Sequence, residues 1–255
     1  MKIEKLKKTS NGKYKVYLDN NEVINTYDEV ILKNNLLFHK EVDSKLLNEL
    51  SKDNDYYELY NKCLILINKR IRSEKEVREY LEKYTSKEED IDSIISKLKE
   101  IGLINDIEYA KAYVSDRINL SSDGPLKIEA YLEKHNIDSN TIKMLIESID
   151  DDVIYNKIDK VVSKKIKNNT KYSSYILKQK IINELISDGF REEDIIRVID
   201  RYEINSNIDK EVIKQFNLLS KKYSGKELDF KLKNKLYQKG YRKEEIEDAI
   251  KKMDY

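Results

Sequence analysis

RIRSEKEVREYLEKYTSKEEDIDSIISKLKEIGLINDIEYAKAYV, residues 70–114, is the stretch from which the fold can be read. Val77 and Leu81 stand one helical turn apart, and Ile91, Ile94 and Ile95 repeat that spacing ten residues on. The segment therefore reads as two short amphipathic helices joined by a turn. A third helix opens at Asn105.

The pattern recurs along the chain. Aligning Leu81 with Leu132, Leu185 and Leu236 gives intervals of 51, 53 and 51 residues. Four residues before each leucine lies Val77, Ile128, Ile181 or Leu232. Ten after it lies Ile91, Ile142, Ile195 or Ile246, and thirteen after it Ile94, Leu145, Val198 or Ala249. Fourteen after it lies Ile95, Ile146, Ile199 or Ile250. A longer helix precedes each copy, over roughly 53–69, 106–118, 152–168 and 207–222. One such unit of three helices buries little by itself, whereas stacked units share apolar faces.

Helix ends are well punctuated. Ser73-x-x-Glu76, Ser86-x-x-Glu89 and Ser224-x-x-Glu227 have capping-box spacing, and Asn105-x-x-Glu108 is a variant of it. Gly124-Pro125 puts the single proline where a first helical turn tolerates it. After the template leucine, Gly189 and Gly240 are placed to end the helix in the left-handed conformation, with Asn136 as the substitute in the second copy. The first copy has Tyr84-Thr85-Ser86 there, so its helix end should differ.

Residues 1–50 follow another period. Lys2–Lys8, Lys13–Leu18 and Glu22–Thr26 are short β-rich segments separated by Asn11-Gly12 and Asp19-Asn20-Asn21. They predict a three-stranded meander, followed from Tyr27 to Leu50 by short connecting helices. The expected fold is mainly α: an elongated, curved array of tandem three-helix repeats with a small N-terminal antiparallel β extension. Its expected parts are the meander with its connecting segment (1–50) and repeats at 51–105, 106–152, 153–205 and 206–255.

Composition agrees with thin apolar stripes. Of 255 residues 39% are hydrophobic and 38% charged, with one Pro and six Gly. Formal net charge is +1, so no global field draws the chain to nucleic acid. The distribution is uneven: residues 88–155 carry net −9, residues 155–190 net +5 and residues 210–243 net +8. No apolar run reaches the length of a membrane span, and MKIEKLKK lacks a signal-peptide core, so a cytosolic protein with no membrane association is expected.

Residue types for chemistry are sparse. Cys63, the single cysteine, sits in CLILI and reads as core. His39 and His135 are far apart, and His135 falls at a helix end. No Ser-His-Asp set, HExxH or phosphate-cradling glycine loop is present, so neither an enzyme nor a cofactor or metal site is expected. Three-helix units invite comparison with helix-turn-helix DNA readers, in which the last helix enters the major groove by its N-terminal end. Here those ends carry Glu88, Glu89 and Asp90, Glu192, Glu193 and Asp194, and Glu244 and Glu245, which phosphates would repel. Basic residues fall on middle helices instead, at Lys178, Lys180, Lys231, Lys233, Lys235 and Lys239.

From Arg70 onward the chain resembles the RecX family, bacterial regulators of the RecA recombinase. The resemblance rests on Arg70-Ile71-Arg72-Ser73-Glu74-Lys75-Glu76 with Leu81, then Gly102-Leu103-Ile104-Asn105-Asp106 with Tyr109 and Ala110. It continues in Gly124-Pro125-x-x-Ile128-x-x-x-Leu132, Leu185-x-x-x-Gly189-Phe190 and Leu236-x-x-x-Gly240-Tyr241. The β extension and the length are similar to the long form found in Firmicutes. Asn105, where many members carry an acid, and His135-Asn136, where Lys-Gly is usual, are departures at helix ends.

The resemblance implies an elongated, monomeric repeat protein in the groove of the RecA–single-stranded DNA filament, restraining filament extension, ATP hydrolysis, strand exchange and co-protease activity. Arg70, Arg72, Lys127, Lys178, Lys180, Lys231, Lys233 and Lys235 are then the candidate contacts with RecA or DNA. Two other readings stay open. One is a nonspecific nucleic-acid-binding protein, with salt-sensitive single- or double-strand contact through the basic C-terminal repeats. The other is a helical scaffold for a different protein partner.

Overall fold

The computed structural model describes residues 1–9, 12–37, 40–169, 172–204 and 208–253. Asn11 of the expected hairpin turn and His39 lie outside them. The chain divides into two compact units, Met1–Tyr109 and Ala110–Tyr255.

The first unit opens with strands β1 (Ile3–Lys8), β2 (Tyr14–Leu18) and β3 (Val23–Thr26). They form an antiparallel sheet in the order β1-β2-β3, with Leu6 opposite Val16 and Val16 opposite Ile24. Alternation turns Val16 and Leu18 inward, onto Ile3, Val30 of helix α1 (Asp28–Lys33), Leu36, Val42 and Leu50. A sheet this small needs such a backing to persist.

Helix α2 (Ser44–Ile67) supplies part of that backing and corrects the expectation of a helix starting near Asp53. It starts at Ser44, where the Asp43 carboxylate accepts the Leu46 N–H at 2.7 Å. Within the polar run at residues 52–55, the side chains of Asp53 and Asn54 are taken up by α1, its C-cap and the sheet. Asp53 accepts hydrogen bonds from Lys33 and Asn34, each at 2.7 Å, and Asn54 accepts one from the buried Thr26 hydroxyl at 2.8 Å. The line drawn at 50/51 therefore falls inside α2. Leu50 belongs to the sheet core, whereas Leu59, Tyr60 and Cys63 belong to the core of the first repeat.

That repeat is α2 with α3 (Glu74–Leu81) and α4 (Glu88–Glu100). The second is α5 (Asp106–Leu120), α6 (Pro125–Lys134) and α7 (Ser139–Glu147). The third is α8 (Asp151–Lys167), α9 (Ser174–Ser187) and α10 (Glu192–Ile199). The fourth is α11 (Ile208–Leu219), α12 (Gly225–Gln238) and α13 (Lys243–Met253). Every position of the five-residue template is buried in all four copies except Ile250, which is half-buried. The fold is thus mainly α, built of tandem three-helix repeats behind a small antiparallel sheet.

The expected punctuation is partly realised. Ser73 forms a complete capping box with Glu76, and the Asn105 side-chain Oδ1 accepts the N–H groups of Ile107 and Glu108. Gly124 and Pro125 open α6 as the sequence predicts. Gly189, Gly240 and Asn136 all take positive φ. Two expected boxes do not form. The residue capping α4 is Lys87, whose N–H bonds the Thr85 hydroxyl, so Ser86 stands one place too early. Ser224 does precede α12, but its side chain makes no cap bond.

Within the second unit, successive repeats meet through these glycines. The Gly124 N–H donates to the Asp188 carbonyl at 2.7 Å, and the Leu126 N–H to the Gly189 carbonyl at 2.9 Å. A Cβ on Gly124 would lie 2.5 Å from the Gly189 backbone, and a Cβ on Gly189 would lie 2.5 Å from that of Lys127. The next joint is alike: Gly240 abuts Ile176 and the buried cap Ser173. Lys157 adds a polar clasp, donating to the carbonyls of Arg117, Ile118 and Asp123 at 3.0–3.2 Å. Burial holds that ammonium below the usual lysine range.

Candidate functional site

Two corners of the first unit, far apart in the chain, converge in space. The RIRS corner joins α2 to α3. Ser73 is fully buried there, and its hydroxyl accepts the Glu76 N–H at 3.2 Å. The Glu76 carboxylate gathers both arginines: Arg70 grips it with two N–H groups at 3.1 and 2.6 Å, and Arg72 Nη1 lies 3.6 Å away. Paired guanidinium N–H groups match the two carboxylate oxygens, which makes the Arg70 arm directional. Arg72 is mostly covered, and its Nε is buried with no hydrogen-bond partner among the described residues.

The LIND corner joins α4 to α5. Gly102 turns with φ +74°, which a glycine adopts without steric cost. Asp106 then reaches back 32 residues to accept the Glu74 N–H at 2.8 Å, satisfying a free donor of the first turn of α3. Lys99 pairs with the Glu74 carboxylate at 2.8 Å. The two corners thus form one polar knot. On its α4–α5 side Ile101, Leu103 and Ile107 are exposed, as is Ile71 on the other. Periodicity did not single these out, because they fall off the core stripe, in a turn and on the outer side of a first helical turn.

The predicted lysines belong to the second unit and are distributed over α6, α9 and α12. Lys127 pairs with Asp123 at 2.7 Å beside the Gly189 joint, and that bond holds its ammonium above the ordinary lysine range. Lys178 pairs with Asp200 at 2.6 Å, tying α9 to the end of α10. The Lys180 ammonium sits 4.8 Å from the Tyr172 ring centre, and that of Lys231 sits 5.6 Å from the Tyr223 ring. Lys233 pairs with Asp229 at 2.8 Å, on the side of α12 away from Lys231 and Lys235. Lys235 is exposed and has no ion pair among the described residues. Lys239 pairs with the buried Glu211 at 3.0 Å. Sequence reasoning missed a further cationic group, Arg197 and Arg201 beside one aromatic ring, 5.6 and 5.9 Å from the centre of Tyr155.

Cys63 is fully buried, and burial pushes its thiol up to about 12, so it is a core residue. His135 caps α6 and stacks on Tyr131 at 4.4 Å. Among the described residues no group of three or more His, Cys, Asp or Glu is disposed to hold a metal ion, and no helix is long and apolar enough to cross a membrane.

Fold and corner together define a tandem three-helix repeat protein with exposed apolar side chains flanking a polar knot. Comparison with known proteins narrows this. Residues 105–144 match the family model described as RecX, second three-helix domain. The chain is 30% identical over 258 residues to the regulatory protein RecX of Streptococcus agalactiae, covering 98% of this chain and 99% of that one. To the regulatory protein RecX of Oceanobacillus iheyensis it is 30% identical over 244 residues, 92% of this chain and 90% of the other. A crystal structure of RecX from Lactobacillus salivarius superposes with a TM-score of 0.55 at 30% identity, over 58% of this chain and 97% of that one. A crystal structure of a regulatory protein RecX has the same fold, with a TM-score of 0.67 over 79% of this chain and 99% of that one. The chain belongs to the RecX family of regulatory proteins.

Proposed function

We propose that this protein acts in the cytosol, as a monomer, on the RecA–single-stranded DNA filament, and that it restrains filament extension, ATP hydrolysis, strand exchange and co-protease activity. Family membership supports a regulatory role. The observation that carries the rest is the knot at the RIRS and LIND corners. The segments on which the family resemblance most depends meet there, and they leave Ile71, Ile101, Leu103 and Ile107 in solvent beside the half-exposed Arg70. Apolar side chains framed by charge are the usual anatomy of a protein docking surface. In this reading the knot holds these side chains in place and they touch RecA, while exposed lysines of α9 and α12 add polar contact with RecA or DNA.

The test is RecA ATPase on single-stranded DNA with substoichiometric amounts of the protein. Slowing is expected with the wild type, and no slowing at any ratio would remove the reading. Leu103→Asp with Ile107→Asp should require roughly tenfold more protein for the same inhibition, the cost of removing one or two interface anchors. The charge reversal Lys231→Glu, Lys233→Glu, Lys235→Glu should weaken inhibition with an unchanged helical circular-dichroism signal. Full inhibition by both variants would move the contact away from these surfaces.

A further inference from the structure

Between α8 and α9 lies a cleft of about 890 Å³, within the third repeat and remote in sequence from the RIRS and LIND corners. Its size is that of a small-ligand pocket. Lys160 and Lys164 stand one turn apart along one wall, both exposed and without an ion pair among the described residues. Lys165 is different: it crosses the cleft to Glu184 at 2.6 Å. At the mouth, Asn169 and Tyr172 exchange hydrogen bonds of 2.8 and 3.0 Å, which ties the tyrosine to the end of α8. The Lys180 ammonium lies 4.8 Å from the centre of that ring. Val161 and Leu177 supply apolar surface between these polar groups.

Lysines near the C-terminal end of a helix offset its dipole, and Lys164 and Lys165 serve α8 in that way. That role does not account for Lys160, which lies outside the last turn, or for an aromatic ring and a further ammonium brought in from the next element. Three ammonium groups and one carboxylate line the cleft around an apolar floor, and the Lys180 ammonium lies against the tyrosine ring. This is too cationic for a neutral ligand, and the aromatic ring, amides and aliphatic floor suit a flat heterocycle better than a bare carboxylate.

We propose that this cleft binds a nucleotide unit, with its phosphate on Lys160 and Lys164 and its base against Tyr172. Compact ammonium groups engage phosphate as point charges, and stacking on an aromatic ring tolerates any base. The same chemistry is offered by a free nucleotide and by one residue of a single strand. The site does not depend on the RecA reading, and its test contains no RecA.

The full chain is titrated at low salt, with chelator present, with ATP, with inorganic triphosphate and with a short labelled oligothymidylate, by calorimetry and fluorescence anisotropy. Lys160→Glu with Lys164→Glu should weaken whichever probes bind by about tenfold or more, and should flatten the salt dependence of strand binding by roughly 0.7 per lost contact. Tyr172→Leu should weaken ATP or strand binding by roughly 5- to 100-fold and leave triphosphate binding unchanged. Lys143→Glu on α7, outside the cleft, should bind as the wild type does. ATP binding that the oligonucleotide competes away assigns the cleft to either source. Strand binding untouched by excess ATP assigns it to a strand. Absence of binding by both nucleotide probes, or cleft variants that bind both like the wild type, would overturn the proposal.

Discussion

Ser73 and Ser224 carry the same four-residue signature and meet different fates. Ser73 is fully buried and its hydroxyl and Glu76 satisfy two backbone donors reciprocally, whereas Ser224 makes no side-chain cap bond. Ser73→Ala should therefore cost about 1–2 kcal/mol in urea denaturation, and Ser224→Ala under about 0.5 kcal/mol. Equal losses would show that the spacing alone, and not the formed box, determines the effect. Glu76 was legible as half of that box. Its second role, holding Arg70 and Arg72, was not, because it depends on how the chain leaves α2. The candidate arginines are thus partly engaged in architecture, which is why the proposed contact surface rests on the isoleucines and leucine around them.

At the scale of elements, positive-φ residues separate into two kinds. Gly102 and Gly189 both turn left-handed, with φ +74° and +88°. A Cβ on Gly102 meets nothing within 4 Å, whereas one on Gly189 would lie 2.5 Å from the backbone of Lys127 in the neighbouring repeat. Gly102→Ala should cost about 1 kcal/mol, the conformational penalty alone. Gly189→Ala adds a clash with backbone that cannot rotate away and should cost more than about 3 kcal/mol, read as a lower urea midpoint. Similar costs for the two would mean that the joint yields. From sequence Gly189 is simply a helix-ending glycine, since the neighbouring repeat that closes on it lies some sixty residues earlier.

For the second unit as a whole, two half-hidden carboxylates link stability to pH. Burial by itself raises the pKa of Asp123, but hydrogen bonds from Lys127 and Ser121 outweigh it and hold the group below its ordinary 3.8. Glu211 is likewise raised by burial and lowered further by Lys239 and Gln215, ending below 4.5. The unfolded chain therefore binds these protons more tightly than the folded one. The stabilisation is complete above the ordinary values and is lost as pH falls through the lower folded ones. Asp123→Asn with Glu211→Gln should lower Tm at pH 7, for a loss of about 1–3 kcal/mol, and the gap to the wild type should close as the pH falls below the ordinary carboxylate range. A gap that stayed constant into acid would show that the two carboxylates stabilise by shape and not by charge.

The sequence by itself determined the secondary structure, the fourfold three-helix repeat, its core positions and most of the helix ends. Each of these depends on residues within a few turns of one another, where periodicity and caps act. It did not determine where α2 begins, because the polar run at residues 52–55 is stabilised by a sheet and a helix formed some twenty or more residues earlier. Only the tertiary structure decided which polar groups meet: Asp106 with Glu74, Lys157 with three carbonyls of the preceding repeat, and the Gly124 N–H with the Asp188 carbonyl. Such pairs depend on the packing of whole helices, which the positions along the chain do not encode in any local pattern.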